Sequence, residues 1–235
     1  MTSDEPVLVG LAGDVDAASM RRLHALAASR SCLTLDGLAV GGRATQAGQD
    51  GRGCAFAGRL DGMAGDPATA ASLALRAARD GEDVLDGLRG EFVIVVWDGA
   101  RRRGFVAVDQ LGARSLYWSR VPGGIAFAAD LRDLLALLPT VPAPDRTQLL
   151  RFLAVGGWTP QASPLSGIER LPGGGLLRLG GRPQVRRYWQ PRYQGVLEAR
   201  VDELAELTRE RVLAAIERRL PSDGRVGLML SGGLD

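Results

Sequence analysis

The chain of 235 residues exceeds the usual size of a single domain, which predicts one large domain, or one domain with part of a second, and a substantial core. Hydrophobic residues at 46%, charged residues at 24% and a mean hydropathy of +0.00 exclude a disordered or membrane-embedded chain. The 29 basic and 27 acidic residues are interspersed and leave a formal net charge of +2, so nucleic acid is not implied as a partner.

The opening Met1-Thr-Ser-Asp-Glu-Pro6 is acidic and precedes only a short apolar run, so it reads as neither a secretory signal nor a membrane span, and a cytoplasmic location is the default. Val7 to Ala12 reads as a first strand, and Asp16, Ala17 and Ala18 open a helix through Met20, Leu23 and Leu26. His24, the only histidine, lies in that helical run and is expected to have a plain surface or half-buried role. Cys32 and Cys54 lack the paired spacing of a zinc site and read as buried small hydrophobes. Gly37 to Gly53 is Gly-rich and predicts turns, and Cys54-Ala-Phe-Ala57 predicts a short strand. Gly65-Asp66-Pro67 starts a helix with Pro at a favourable position, and Gly81 ends it.

Phe92-Val-Ile-Val-Val-Trp97, the turn Asp98-Gly99 and Phe105-Val-Ala-Val108 give the strongest β signal. Leu116-Tyr-Trp118 and Ile125-Ala-Phe127 are expected to continue that meander. Leu131 to Leu138 reads as a helix stopped by Pro139, and Pro139 to Pro144 as a stiff connector. Asp145 with Gln148 predicts a capping box before Leu149, Leu150, Phe152 and Leu153, and Gly156-Gly157 ends that helix. A turn over Leu171 to Gly175, a strand over Leu176 to Leu179, an extended piece over Arg186 to Trp189 and a linker over Gln190 to Gly195 follow. From Val201 the pattern is a long amphipathic helix, then Val226-Gly-Leu-Met-Leu230 reads as a fully buried parallel strand running into Ser231-Gly-Gly-Leu-Asp235.

A buried strand ending in Ser-Gly-Gly turns backbone N–H groups outward, and glycines without Cβ let a phosphate approach closely. A flexible Gly turn is the plain alternative. Asp235 is suited to magnesium, since hard cations take carboxylate oxygen and bridge nucleotide phosphates.

These residues carry a resemblance. Ser231-Gly232-Gly233-Leu234-Asp235 resembles the start of the pyrophosphate-binding loop of asparagine synthetases and their relatives. Leu88-Arg-Gly-Glu-Phe92 with Trp97-Asp98, Asp109-Gln-Leu-Gly112 with Leu116-Tyr117, Gly167 to Gly173, and Tyr188-Trp189 resemble segments of that family's front domain, in the same order. The resemblance implies an α+β fold. It consists of an N-terminal-nucleophile-type αββα sandwich of two mainly antiparallel sheets over residues 1–192, followed over 193–235 by the first helix and strand of a truncated α/β ATP-pyrophosphatase domain.

The family's glutaminase uses a cysteine exposed as the first residue, whose α-amino group acts as base. Its opening Cys-Gly-Ile-Ala-Gly pattern falls on Val9-Gly10-Leu11-Ala12-Gly13, so valine stands at the nucleophile's position with eight residues before it. Thr2 is no substitute, lying roughly 23 Å away if extended. Ala57-Gly58 stands where the family has the Asn-Gly pair that holds the oxyanion, so the side-chain donor is missing. The glutamine-binding Arg-Gly-Pro-Asp run has no counterpart between Gly37 and Gly53, and Asp66 reads as a helix cap. No catalytic residue is therefore expected in the front domain.

What the resemblance implies is an ATP-dependent ligase that adenylates a carboxylate for attack by an amine of the same substrate. A lasso peptide macrocyclase is the preferred reading. A β-lactam synthetase, an ammonia-using asparagine synthetase and a non-catalytic peptide- or partner-binding module are the alternatives. ATP and Mg2+ are the implied cofactors, with Met229, Leu230, Ser231, Gly232, Gly233, Leu234 and Asp235 around the nucleotide and Asp235 on the metal. A peptide or small-molecule carboxylate, and a precursor peptide with a leader-binding or protease partner, are the implied partners.

Overall fold

The computed structural model describes residues 8–27, 31–42, 44–47, 51–61, 72, 73, 76, 77, 79–193, 195–220, 226–228, 230 and 232. The chain divides into two compact units, Met1–Gln190 and Pro191–Asp235.

In the first unit the elements run β1 (Val9–Gly13), α1 (Ala17–Ala27), β2 (Ser31–Leu35), β3 (Leu38–Gly42), β4 (Ala44–Ala47) and β5 (Arg52–Leu60). A 3-10 helix (Gly81–Gly87), β6 (Gly90–Asp98), β7 (Arg103–Val108), β8 (Tyr117–Val121), β9 (Gly124–Ala128), α2 (Leu131–Leu137) and α3 (Arg146–Val155) follow. The unit closes with β10 (Ile168–Arg170), β11 (Gly175–Leu179) and β12 (Gln184–Arg187). The strands form two six-stranded sheets, ordered β10-β8-β9-β1-β3-β2 and β12-β11-β7-β6-β5-β4, and every pairing within them is antiparallel.

Three apolar clusters make the layers. Between the sheets, Val93, Val95 and Trp97 of β6 meet Val40, Trp118 and Phe127 of the first sheet. Outside the first sheet, Leu23 of α1 and Leu134 of α2 pack with Val9 and Leu11. Outside the second, Phe92 and Ile94 pack with Leu73, Leu85 and Leu88. Strand β6 is apolar at successive positions because both of its faces are covered, so the usual alternation of a half-exposed strand is absent. The described arrangement is an α+β sandwich with helical residues on both outer faces.

Local signals explain the helix ends. Asp16 Oδ1 accepts from the Ser19 N–H at 2.7 Å ahead of α1, and the Asp130 side chain accepts from the Arg132 N–H at 2.7 Å ahead of α2. Gly156 closes α3 in the left-handed region at φ +69°. The capping box expected at Asp145 forms by half. Its Oδ1 accepts from the Gln148 N–H at 3.0 Å, but its own N–H donates to the Pro164 carbonyl at 2.8 Å, and Gln148 Oε1 finds no partner among the described residues.

Several expectations are corrected. The strands β8 and β9 do not continue the β6–β7 meander: they pair with each other and, through β9, with β1 in the opposite sheet. The Gly37–Gly53 stretch holds β3, β4 and the start of β5 rather than only turns. Gly41 sits in a strand because a Cβ there would lie 2.9 Å from the Ala27 Cβ, so this glycine marks close helix–sheet approach. Cys32 is exposed rather than buried, since it shares the outer face of edge strand β2 with Thr34 while Leu33 points into the core; Cys54 is buried as expected. The predicted helix start at Gly65 to Pro67 lies outside the described residues; residues 72, 73, 76, 77, 79 and 80 are helical, and at Gly81 (φ +62°) the chain passes into the 3-10 helix.

In the second unit, α4 (Val201–Glu217) begins where the Arg200 N–H donates to Glu203 Oε2 at 3.2 Å. No residue of α4 is buried. Val226, Gly227, Leu228 and Leu230 are not in a strand, and Leu230 is 87% exposed, which departs from the buried parallel strand expected over Val226 to Leu230. A fully buried parallel strand draws its ladder from neighbouring strands, and the described residues of this unit supply none.

Candidate functional site

Position 9 lies in β1, the strand flanked by β3 and β9. Val9 pairs with Gly41 on one side and Ala128 on the other and is fully buried. Leu8 before it is buried too, and its carbonyl accepts from the Ala129 N–H at 2.8 Å. A valine side chain offers no nucleophilic atom, and Val9 packs in the layer shared with Leu23 and Leu134. Next to it, a Cβ on Gly10 would collide with the Phe127 ring, which fills the inter-sheet space over this strand.

Ala57 lies in β5 opposite Val93, with its methyl group in the inter-sheet core. Val9 and Ala57 therefore contribute side chains to different layers, and the structure does not bring them together. Gly58 keeps its glycine for a backbone reason: φ is +115°, and a Cβ would collide with the Glu91 carbonyl oxygen across the β5–β6 pair.

Three of the stretches that carried the resemblance, Leu88 to Phe92, Asp109 to Gly112 and Tyr188, meet instead around Asp109. Its carboxylate is buried and accepts four backbone N–H groups: Leu111 at 3.1 Å and Ala113 at 2.9 Å on Oδ1, and Arg114 at 2.9 Å and Phe92 at 3.3 Å on Oδ2. The Asp109 N–H donates to the Phe92 carbonyl at 2.9 Å, and the Asp109 carbonyl accepts from Gly174 at 2.8 Å. Gln110 Nε2 donates to the Leu88 carbonyl at 2.6 Å, and the Tyr188 hydroxyl donates to the Val108 carbonyl at 2.7 Å. Burial, aided by the negative charge of Asp109, pushes the Tyr188 hydroxyl well above its ordinary range, so it stays a donor at physiological pH. This knot holds the crossing from one sheet to the other and performs no visible chemistry. Sequence reasoning missed its role; the one available signal was an Asp followed three residues later by a Gly, here Gly112 at φ +68°.

Of the expected nucleotide loop, Met229, Ser231, Gly233, Leu234 and Asp235 lie outside the described residues. Leu230 is exposed, and Gly232 adopts φ +74°, a conformation suited to glycine. No group of three or more metal-ligating side chains occurs among the described residues, and no described helix is long and apolar enough to cross a membrane.

Residues 69–189 match the family described as the glutamine amidotransferase domain, and the chain belongs to that family. It is 32% identical over 161 residues to amidase chyE of Penicillium rubens, covering 66% of this chain and 23% of that protein. Asparagine synthetase [glutamine-hydrolyzing] 3 of Bacillus subtilis is 30% identical over 156 residues, covering 66% of this chain and 25% of the relative. The chain thus spans about a quarter of the length of these curated relatives. A solved structure described as the allosteric regulatory enzyme of purine biosynthesis superposes with a TM-score of 0.50 at 12% identity, over 79% of this chain and 49% of that one. The paired antiparallel sheets fit the N-terminal-nucleophile type of glutamine amidotransferase fold.

Proposed function

We propose that this chain is the front part of an ATP-dependent, amide-forming ligase whose glutaminase centre is silent, so that the nitrogen nucleophile is an amine of the substrate. The observation that carries this reading is Val9: the position resembling the family's nucleophile is a buried aliphatic in the middle of a sheet. Ala57 supports it, because the side chain resembling the oxyanion donor is a methyl group inside the core. The similarity to enzymes named as asparagine synthetase and amidase supports an amide-centred reaction.

Within that reading, the substrate carboxylate is adenylated with ATP and Mg2+ at the loop 229–235, with Asp235 on the metal, and peptide macrocyclisation of the lasso type follows in the cytoplasm. A precursor peptide is the substrate, with a leader-binding or protease partner. The test is made with the full-length enzyme, ATP, Mg2+ and a candidate precursor peptide. The expected result is AMP and pyrophosphate formation together with a product lighter by one water. Asparagine formed from aspartate and ammonium, with no change in the peptide, overturns the macrocyclase reading.

A further inference from the structure

The outer face of the second sheet extends past the described helical residues that cover it. Its pairing registers align Arg52, Asp98 and Arg103 in one row across β5, β6 and β7, and place Val96, Phe105 and Arg178 in the next row across β6, β7 and β11. Two residues further along β6, the same face is apolar and sealed under Leu73, Val84 and Leu85. Charged side chains take over where that cover stops.

The uncovered end is a half-open cleft of about 600 Å3, within the range of sites for drug-sized ligands and short peptide stretches. Val96 and Phe105 contribute an apolar strip, and Arg52, Arg79, Arg101, Arg103 and Arg178 surround it against two carboxylates among the described lining residues, Glu82 and Asp98. Asp98 is shared by Arg52 at 3.2 Å and Arg101 at 3.1 Å, Glu82 by Arg178 at 2.6 Å and Arg186 at 2.8 Å, and Asp80 beside the cleft holds Arg79 at 2.7 Å. These pairs hold the guanidinium groups at the rim of the cleft. Arg103 is exposed, and its side chain makes no hydrogen bond or ion pair among the described residues.

We infer that this cleft docks an acidic peptide segment, with carboxylates on the rim arginines and an apolar side chain on the strip of Val96 and Phe105. Guanidinium forks match carboxylates two bonds at a time, which favours peptide carboxylates as ligands. Cations spread over several strands around an apolar floor suit charges separated by hydrophobic side chains, rather than one compact anion. The inference stands apart from the ligase reading, because Val9 belongs to the other sheet.

The test is fluorescence anisotropy of a labelled Glu-Leu-Glu-Leu-Glu peptide titrated with the protein, alongside the same peptide carrying Gln for Glu. The expected result is saturable binding of the acidic peptide alone, weakened about tenfold or more in Arg103→Glu and weakened again by added salt. Arg187→Glu, on exposed β12 outside the cleft, retains the affinity, and matching thermal melts show both variants folded. Absence of saturable binding, undiminished affinity in a folded Arg103→Glu protein, or equal displacement by inorganic pyrophosphate alone would each overturn the inference.

Discussion

The Asp109 carboxylate reaches back to accept the backbone N–H of Phe92, seventeen residues earlier, and so ties the end of β7 to the start of β6. Removing it strands four buried or half-buried N–H donors at the sheet crossing. Each unsatisfied buried donor costs on the order of 1–3 kcal/mol, so Asp109→Ala is expected to lose about 3 kcal/mol or more of stability. Asp109→Asn, which keeps one acceptor oxygen, is expected to lose less. Urea unfolding of both variants checks the order; equal midpoints for Asp109→Ala and the parent would contradict it.

Gly58 tests whether the glycine next to Ala57 is retained for backbone geometry. Its φ of +115° and the Glu91 carbonyl leave no room for a Cβ. Gly58→Ala is expected to destabilise by about 3 kcal/mol, combining left-handed strain with a backbone collision. Ala57→Gly, by contrast, removes one methyl and is expected to cost about 1 kcal/mol. Thermal melts of the pair distinguish the two.

The two thiols should differ sharply. Burial pushes Cys54 up to about 12, so it stays protonated and shielded, whereas Cys32 lies exposed on the edge strand β2. Alkylation of the native protein at pH 8, followed by mass spectrometry, is expected to modify Cys32 alone. Cys54 should react only after denaturant is added, and prompt labelling of both would contradict the packing of β5.

Acid should loosen the ion pairs beside the 3-10 helix. The hydrogen bond from Arg178, reinforced by the charges of Arg178 and Arg186, holds Glu82 below its ordinary value of 4.5. A carboxylate depressed in the folded state stabilises the fold above its unfolded pKa and loses that contribution as pH falls through the folded one. The pair's support is therefore complete at neutral pH and declines below about pH 4.5. Glu82→Gln is expected to melt lower than the parent at pH 7 and to converge with it as the pH falls through and below the lowered pKa of Glu82. Glu82 is partly exposed, so the effect is small, and a gap that widens in acid would contradict the assignment.

Much of the β6–β7 hairpin is readable from residues alone, because two runs of β-branched and aromatic side chains flank Asp98-Gly99. Which sheet a hairpin joins is not readable. Strands β8 and β9 look like a continuation because both sheets bury both faces, so their patterns carry no mark of the partner. The glycines between Gly37 and Gly53 mislead for a related reason: Gly41 answers to the Ala27 side chain of α1, a contact invisible in sequence. At the site, the absence of a nucleophilic atom on Val9 and of a polar side-chain donor on Ala57 follows from residue identity. Their separation into different layers does not, and neither does the convergence of four dispersed segments on Asp109. The arginine cleft was also hidden, since Arg52, Arg103 and Arg178 are brought together only by register.

The central claim is that a buried valine in β1 leaves the glutaminase centre silent. Its most direct measurement is ammonia release from glutamine by the intact enzyme, followed with a coupled glutamate dehydrogenase assay in the presence of ATP and Mg2+. The account predicts no ammonia above that of heat-denatured protein, with or without carboxylate substrate. Turnover of glutamine to glutamate and ammonia by the native enzyme would contradict it.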